Sequence, residues 1–391
     1  MHGVERDRMG RALTVPVPMV APVPDGAGKA PKKGDVMKRS LVSMVAVAGL
    51  TAAALTGCAS GGGPAPTNGD DGTTTSATAC VILPDAASSP RWETLDRPAL
   101  EEGLTAAGFA VDIQNAQGDT AKYATIADQQ LSSGCGVMIL VDHQGAAVAV
   151  AAKAKAEGIP VIAYDRPFAG ADYYVSFDNV EVGRLQGRAV VEGLEDGGKD
   201  PATATVVYIG GDPADGNAAM FRSGAVEVME GAGIVPAAEP PGAWDGPKSA
   251  TNFEQALTSL GGVVDAVWAA NDTNAAGVIS ILDKNGLVVP VSGQDASVEG
   301  LQNVLLGKQW ATVWKPASIE AEAAVQLAIA LLQGESPTAN MTLDDGTPYI
   351  AVVPIYVRPG NVVDVIDAGD ASASDVCSGP VAAVCAELGI G

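Results

Sequence analysis

Histidine and positive charge are what this chain most lacks. Only His2 and His143 occur among 391 residues, too little material for a His-rich zinc site or for most triads built on an imidazole base. Lys and Arg number 23 against 46 Asp and Glu, a formal charge of −23. Nucleic acids and acidic membrane surfaces bind through cations that replace counterions on phosphates, so both are disfavoured as partners. No apolar run reaches the roughly 18 residues of a stable membrane span. What the chain does have is apolar material in short pieces: 47% of residues are hydrophobic and 18% charged, enough to bury a real interior. The length favours two lobes over a single core.

Residues 1–36 carry scattered charge and prolines without apolar periodicity and read as an unfolded extension, or as sequence upstream of a true start at Met37. From Met37 the pattern is that of a secretion signal over 37–57: Lys38 and Arg39, then an apolar run from Leu41 to Leu55. Leu55-Thr56-Gly57-Cys58 resembles a bacterial lipobox, which would make Cys58 the lipidated first residue of an exported protein anchored to the outer face of the cytoplasmic membrane. The rival, a transmembrane anchor, is disfavoured by the length of the run. Residues 58–78, rich in Gly, Ser, Thr and Pro, cannot pack a core and read as a tether. Cleavage would remove eight of the Lys and Arg and four of the Asp and Glu, leaving 15 against 42, or −27.

Beyond Cys58 stand Cys80, Cys135, Cys377 and Cys385, an even number in an exported context that permits disulfides. Cys80 and Cys135 each sit at the start of a strand-like run, within bonding reach if those strands are parallel neighbours. Cys377 and Cys385 would then close a short loop. The alternative is four buried thiols.

From residue 80 the chain alternates short Val, Ile and Ala runs with amphipathic stretches. Strands are expected near 80–84, 110–114, 137–141, 160–164 and 173–177, then again near 204–209, 233–236, 264–269, 288–292 and 310–314. Helices are expected near 93–107, 121–132, 146–157 and 180–194, then near 215–230, 249–260, 273–285, 296–306 and 317–333. Continuous apolar strands between amphipathic helices mark parallel sheets covered on both faces. The fold class is therefore α/β, with two doubly wound parallel-sheet lobes and a cleft between them. Ligands of such sheets bind beyond the carboxyl ends of the strands.

Those ends collect polar residues: Arg91 and Trp92 after the first strand, Asp165 and Arg166 after the fourth, then Asn217, Asn271, Asp295 and Lys315 in the second half. Carboxylates accept from sugar hydroxyls, while guanidinium and amide groups donate to them. Trp92, Phe177 and Trp244 lie near the same loops, and flat rings cover the C–H faces of a sugar. Each has a plainer explanation: Asp165-Arg166 as a surface ion pair, Asn271 as a helix cap, Trp244 as loop packing. Their shared position after strands is what argues for a site. No cofactor or metal is implied. A glycosidase using Asp165 and Asp295 is disfavoured, because neither has an evident partner acid and the nearby Arg and Lys hold carboxylates ionised.

Ile162-Ala163-Tyr164-Asp165-Arg166, Tyr174 through Gly183, and Ser292-Gly293-Gln294-Asp295-Ala296 together resemble the substrate-binding proteins of sugar ABC importers, most closely the D-xylose-binding branch. Asn217 through Arg222, Asn271-Asp272 and Val313-Trp314-Lys315-Pro316 add to the resemblance, which runs from about residue 80 to about 365. It implies a monomeric type I periplasmic binding protein whose lobes are joined by three hinge strands and close on one monosaccharide for delivery to an ABC permease and its ATPase. It places Arg91, Asp165, Arg166, Asn217, Trp244, Asn271, Asp295 and Lys315 at ligand contacts. Related proteins tend to carry a second basic residue in the first loop, where Ser88, Ser89 and Pro90 stand here. The crossovers are expected near Phe177–Asn179, near Asp295–Ser297 and within Gly334–Pro348. That gives one lobe from 79–178 and 297–340 and the other from 179–296 and 341–391. A sensor that hands the closed state to a histidine kinase or chemoreceptor is the rival output, since the body sequence does not separate it from transport. A repressor of the same fold would need a basic helix-turn-helix at its N-terminus.

Overall fold

The computed structural model describes residues 77–86, 89 and 91–391. The signal segment, Cys58 and the tether as far as residue 76 lie outside the described residues, as do Ser88 and Pro90. Thr78, placed at the end of the tether, already opens the first strand.

The first run of elements is β1 (Thr78–Leu83), α1 (Arg97–Ala106), β2 (Ala110–Asn115), α2 (Thr120–Ser132), β3 (Cys135–Leu140), α3 (Ala146–Ala156), β4 (Val161–Tyr164) and β5 (Tyr173–Phe177). The second is α4 (Asn179–Asp196), β6 (Val206–Ile209), α5 (Gly216–Gly231), β7 (Pro236–Ala238), α6 (Gly246–Ser259), β8 (Ala266–Ala269), α7 (Asp272–Lys284), α8 (Val298–Leu305) and β9 (Thr312–Trp314). The chain then returns through α9 (Ala317–Leu332), β10 (Met341–Thr342) and β11 (Pro348–Val352). It ends with β12 (Ile355–Val357), α10 (Val362–Asp367), α11 (Ala373–Val376) and α12 (Ala382–Leu388).

One lobe is built on a sheet ordered β10-β11-β5-β4-β3-β1-β2, in which only the β10–β11 pair is antiparallel. Alternation along β1 feeds both faces. Cys80 and Ile82 join Tyr123, Ile126 and Val150 on the side of α2 and α3, while Val81 and Leu83 join Leu100, Leu104 and Val325 on the side of α1 and α9. The other lobe carries β7-β6-β8, again all parallel. Tyr208 and Trp268 pack toward α4 and α5, and Val207 and Val267 toward α6 and α7. The strand expected at 288–292 is reduced to a single bridge between Val267 and Val291, because Pro290 has no N–H to give the ladder. That expected at 233–236 begins at Pro236 instead, since Ile234 bonds back to Met229 and is buried under α5.

Cys80 and Cys135 are bonded to each other across β1 and β3, with Cα atoms 5.8 Å apart, and Cys377 is bonded to Cys385.

Two of the three crossovers differ from the expected positions. The first is at Phe177–Asn179, where Asp178 caps α4. The second is not at Asp295–Ser297. Helix α8 packs on α7 and α11, and β9 pairs with β12, so residues 297–314 belong with the second lobe and the chain leaves it at Lys315-Pro316. The third lies between β11 and β12 at Val353-Pro354 rather than within 334–348, because β11 is still a strand of the first sheet, parallel to β5. Both displaced crossings are marked by proline, which ends the preceding element. The C-terminal helices add a further core around Leu301, Trp314, Val357, Val365 and Cys385.

Helices α4 and α5 approach closely through glycine. A Cβ at Gly224 would lie 1.9 Å from the Val180 carbonyl oxygen, whereas one at Gly231, at the end of the same helix, meets nothing within 4 Å. Gly224→Ala should therefore lower the unfolding free energy by about 1–3 kcal/mol. Gly231→Ala should leave it unchanged or raise it slightly, as alanine favours helix. Urea unfolding of both variants checks this, and equal effects would refute the backbone-contact explanation.

Candidate functional site

On the first lobe the site begins with Arg91, buried just before a helical turn over Trp92–Asp96. Its guanidinium donates to both carboxylate oxygens of Asp96, at 2.8 and 2.6 Å, to Asp165 at 3.2 Å, and to Glu320 of α9. Tyr164 also donates to Asp96, at 2.6 Å. Such a cluster is stable only because every member is paired, for an unpaired buried ion costs several kcal/mol. The guanidiniums of Arg91 (4.9 Å to the ring centre) and Arg166 (5.4 Å) both lie over the Trp92 indole.

Asp165 follows β4 with φ 60°, a conformation uncommon outside glycine. It is held there from several sides. Its N–H bonds the Val175 carbonyl, and its own carbonyl accepts from Tyr174 Oη at 2.8 Å, Ser176 Oγ at 3.1 Å and Asn217 Nδ2 at 2.6 Å. The last bond comes from the start of α5 and joins the lobes directly. Arg166, 3.3 Å from Asp215 of the second lobe, joins them again.

The second lobe answers with Asp295, whose φ is 97° and whose carboxylate lies 3.0 Å from Lys315 Nζ. Asn271 caps α7 through Oδ1, accepting from Asn274 at 2.9 Å, and its Nδ2 stands 3.5 Å from Asp295. Capping and facing the site are thus two uses of one amide. Behind them Asp272 is buried and accepts from Gln309 (2.8 Å), Thr312 (2.9 Å) and the Ser297 N–H (2.9 Å), which ties the loop bearing Asp295 to α7. Burial, with Asp295 adding to it, pushes the Asp272 carboxyl up to about 7. Burial works against the Lys315 ammonium, yet Asp295 and Asp165 outweigh it and leave its pKa raised.

All nine residues singled out at strand ends, Arg91, Trp92, Asp165, Arg166, Asn217, Trp244, Asn271, Asp295 and Lys315, line one cavity between the lobes. Phe177 does not. It is fully buried in the core beneath α4, and Phe221 lines the cavity in its place. Phe221 meets Trp244 edge to face at 6.3 Å, and the Lys315 ammonium lies 5.5 Å from its ring. Trp244 lies against Gly211, where a Cβ would fall 2.1 Å from the indole, and donates from Nε1 to Asp215 at 3.1 Å. Gly211 is therefore what admits the ring.

Asp215 and Gln294 also line the cavity without having been singled out. Asp215 is disguised as the ordinary cap of α5, and Gln294 differs from its neighbours only in the motif it shares with Asp295. Gln294 is 2% exposed and its Oε1 has no partner. The lining is balanced in charge, with Arg91, Arg166 and Lys315 against Asp165, Asp215 and Asp295. Such a balance suits a neutral polar ligand better than an anion or a cation. Among the described residues, no group of three or more His, Cys, Asp or Glu is placed to hold a metal, and no helix is long and apolar enough to cross a membrane.

A sequence profile described as "Periplasmic binding protein domain" matches residues 80–336. The chain is 33% identical over 289 residues to the D-xylose-binding periplasmic protein of Escherichia coli (strain K12), covering 71% of this chain and 85% of that one. It is 30% identical over 310 residues to the multiple sugar-binding periplasmic receptor ChvE of Rhizobium radiobacter, covering 73% and 86%. Among solved structures, the carbohydrate transporter solute binding protein from Chloroflexus aurantiacus in complex with D-glucose superposes with a TM-score of 0.67 at 28% identity, over 76% of this chain and 97% of that one. An ABC transporter solute binding protein from Clostridium phytofermentans with bound β-D-glucose gives a TM-score of 0.69 at 27% identity, over 76% and 99%.

The Arg91 cluster carries a pH signature. Burial raises the pKa of Glu320 from its ordinary 4.5 despite the Arg91 guanidinium beside it. The folded protein then keeps a proton that the unfolded chain releases, so stability tied to this group is full below about pH 4.5 and falls as pH rises toward neutrality and beyond. Glu320→Gln mimics the protonated acid. The Tm of this variant relative to the unchanged protein should rise steadily from pH 5 to pH 8, and parallel curves would contradict the assignment.

Proposed function

Because this chain belongs to the periplasmic binding protein family, whose sugar-binding members it matches over most of their length, we propose that it captures a single monosaccharide between its lobes. The best candidate is D-xylose or a similar aldose, delivered to an ABC permease. Its relatives are binding proteins of transport rather than enzymes, and the fold is the type I periplasmic binding protein fold. The observation that carries the proposal is the pair Asp165 and Asp295. Each lobe sets one aspartate at a strand end on left-handed backbone, and both face one cavity.

The residues divide the work by chemistry. Asp165 and Asp295 accept from ring hydroxyls, while Arg91, Arg166 and Lys315 donate to the sugar. Asn217, Asn271 and the unpartnered Oε1 of Gln294 supply further polar contacts. Trp92, Trp244 and Phe221 cover the apolar C–H faces of the ring. No bond is made or broken. The sugar stabilises the closed arrangement because only there do both lobes reach it, and a ligand shifts an equilibrium only by its preference for one state. Export through the signal at 37–57 and lipidation of Cys58 would hold a monomeric receptor outside the cytoplasmic membrane, near its permease.

A thermal-shift panel of aldopentoses and aldohexoses, followed by titration calorimetry, tests this reading. Ligand at about 100 times its dissociation constant stabilises a fold by roughly 2.7 kcal/mol. A stereoselective shift for D-xylose or a related aldose is expected, and Asp295→Ala should weaken the hit at least about tenfold. A folded sample that no sugar stabilises would contradict the proposal.

A further inference from the structure

The chain after β12 lies outside the residues matched by the family profile, 80–336. It carries a disulfide, Cys377 to Cys385, whose cysteines line no part of the sugar cavity. Its helices are short, six residues in α10, four in α11 and seven in α12. Helices of that length do not hold their shape alone in water. Two things fix them here: the covalent bond from the end of α11 to α12, and a core shared with the second lobe.

That core reaches the sugar site at two points. Val365, Ala371, Val376 and Cys385 of the segment pack in one cluster with Ala296 and Trp314. Ala296 directly follows Asp295, and Trp314 directly precedes Lys315. Each member of the Asp295–Lys315 pair, 3.0 Å apart, is therefore anchored through its chain neighbour.

Backbone geometry makes the first anchor necessary. Asp295 and Ala296 are consecutive non-glycine residues at positive φ, 97° and 47°, and such conformations persist only where their surroundings enforce them. The Asp295 N–H donates to the Val313 carbonyl at 2.8 Å and the Ala296 N–H to Thr312 Oγ1 at 3.2 Å, which ties the turn to β9. Strand β9 leans on the segment in turn, with Trp314 Nε1 donating to Asp370 at 2.7 Å. On the other side stands α8, the helix that follows the Asp295 loop. Its Gln302 donates from Nε2 to the carbonyls of Asp375 (2.9 Å) and Val376 (3.3 Å) and to Ser378 Oγ (3.1 Å). The strained turn is thus held between α8 and β9, and both are fastened to the C-terminal segment.

We propose that this segment, closed by Cys377–Cys385, is the positioning element of the second half-site: it holds the backbone at Asp295 and Lys315 in the geometry that binds sugar without touching the sugar itself. The inference rests on the monosaccharide reading of the inner cavity, whose lining includes Asp295 and Lys315 and, among the described residues, none beyond Lys315. A half-site that holds its binding geometry only part of the time binds with affinity lowered by that fraction. Loosening the segment therefore weakens capture even while the protein stays folded.

The other disulfide supplies the control. Cys80–Cys135 joins β1 to β3 in the amino-terminal halves of those strands, away from the carboxyl ends that face the cleft. Removing either disulfide should lower Tm. Titration calorimetry of the full chain with D-xylose, or with the aldose that the thermal-shift panel selects, compares Cys377→Ser/Cys385→Ser, Cys80→Ser/Cys135→Ser and Asp370→Ala at a temperature where circular dichroism shows them folded. The C-terminal cysteine variant and Asp370→Ala should each weaken sugar binding roughly three- to thirtyfold, while Cys80→Ser/Cys135→Ser binds as the unchanged protein does. If the C-terminal cysteine variant does not fold, Asp370→Ala, which leaves both disulfides intact, decides alone. Unchanged affinity in the C-terminal variants would overturn the inference, as would an equal loss on removing Cys80–Cys135. If the unchanged protein binds no aldose, the reading of the inner cavity fails and this inference with it.

Discussion

A guanidinium with almost no water around it organises this molecule. Arg91 gathers Asp96, Asp165 and Glu320 at the face of the first lobe, and those three carboxylates come from the turn after β1, the end of β4 and the body of α9. One cation thus ties the first loop, the middle of the sheet and the helix that follows the second crossover. Removing the guanidinium would leave buried carboxyls facing one another without a cation, and breaking a buried pair in this way is strongly destabilising. The same pairing holds Asp165 at the cleft.

The second lobe repeats the arrangement with other parts. Lys315 lies at the crossover into α9, only five residues before Glu320, and it holds Asp295 as Arg91 holds Asp165. Asp272 anchors the loop behind Asp295 much as Asp96 anchors Arg91. Each half of the cleft is thus held by bonds within its own lobe, while others, among them Asn217 to Asp165 and Arg166 to Asp215, cross between the lobes. Rigid halves joined by three short crossings are the mechanical condition for a hinge.

Much of this was legible in the sequence, for reasons particular residues make plain. Runs such as Val137 to Val141 are apolar on both faces, which only a covered parallel sheet explains, and reading just beyond such runs reached the cavity at Asp165 and Asn271. The crossovers were harder. Nothing in the periodicity of α8 tells which lobe its apolar face meets; that depends on α11 and β12, which lie far along the chain. Prolines 316 and 354 were the local cue. Phe177 misled because a strand-end aromatic looks the same whether it turns to the cleft or to the core, while Phe221, inside a helix, gave no strand-end signal. Glu320 was readable in principle, as an acid on the buried stripe formed by Ala317, Ala321 and Ala324. Its partner Arg91 lies 229 residues away, and spacing does not reveal such a pairing.

The central claim is that two prearranged half-sites close on a sugar. Small-angle X-ray scattering of the full chain, with and without saturating D-xylose or whichever aldose gives the thermal shift, tests it most directly. The account predicts a radius of gyration that contracts when sugar is added, with no contraction from a sugar that gives no shift. A saturating sugar that binds and leaves the scattering profile unchanged would contradict closure as the mechanism of capture.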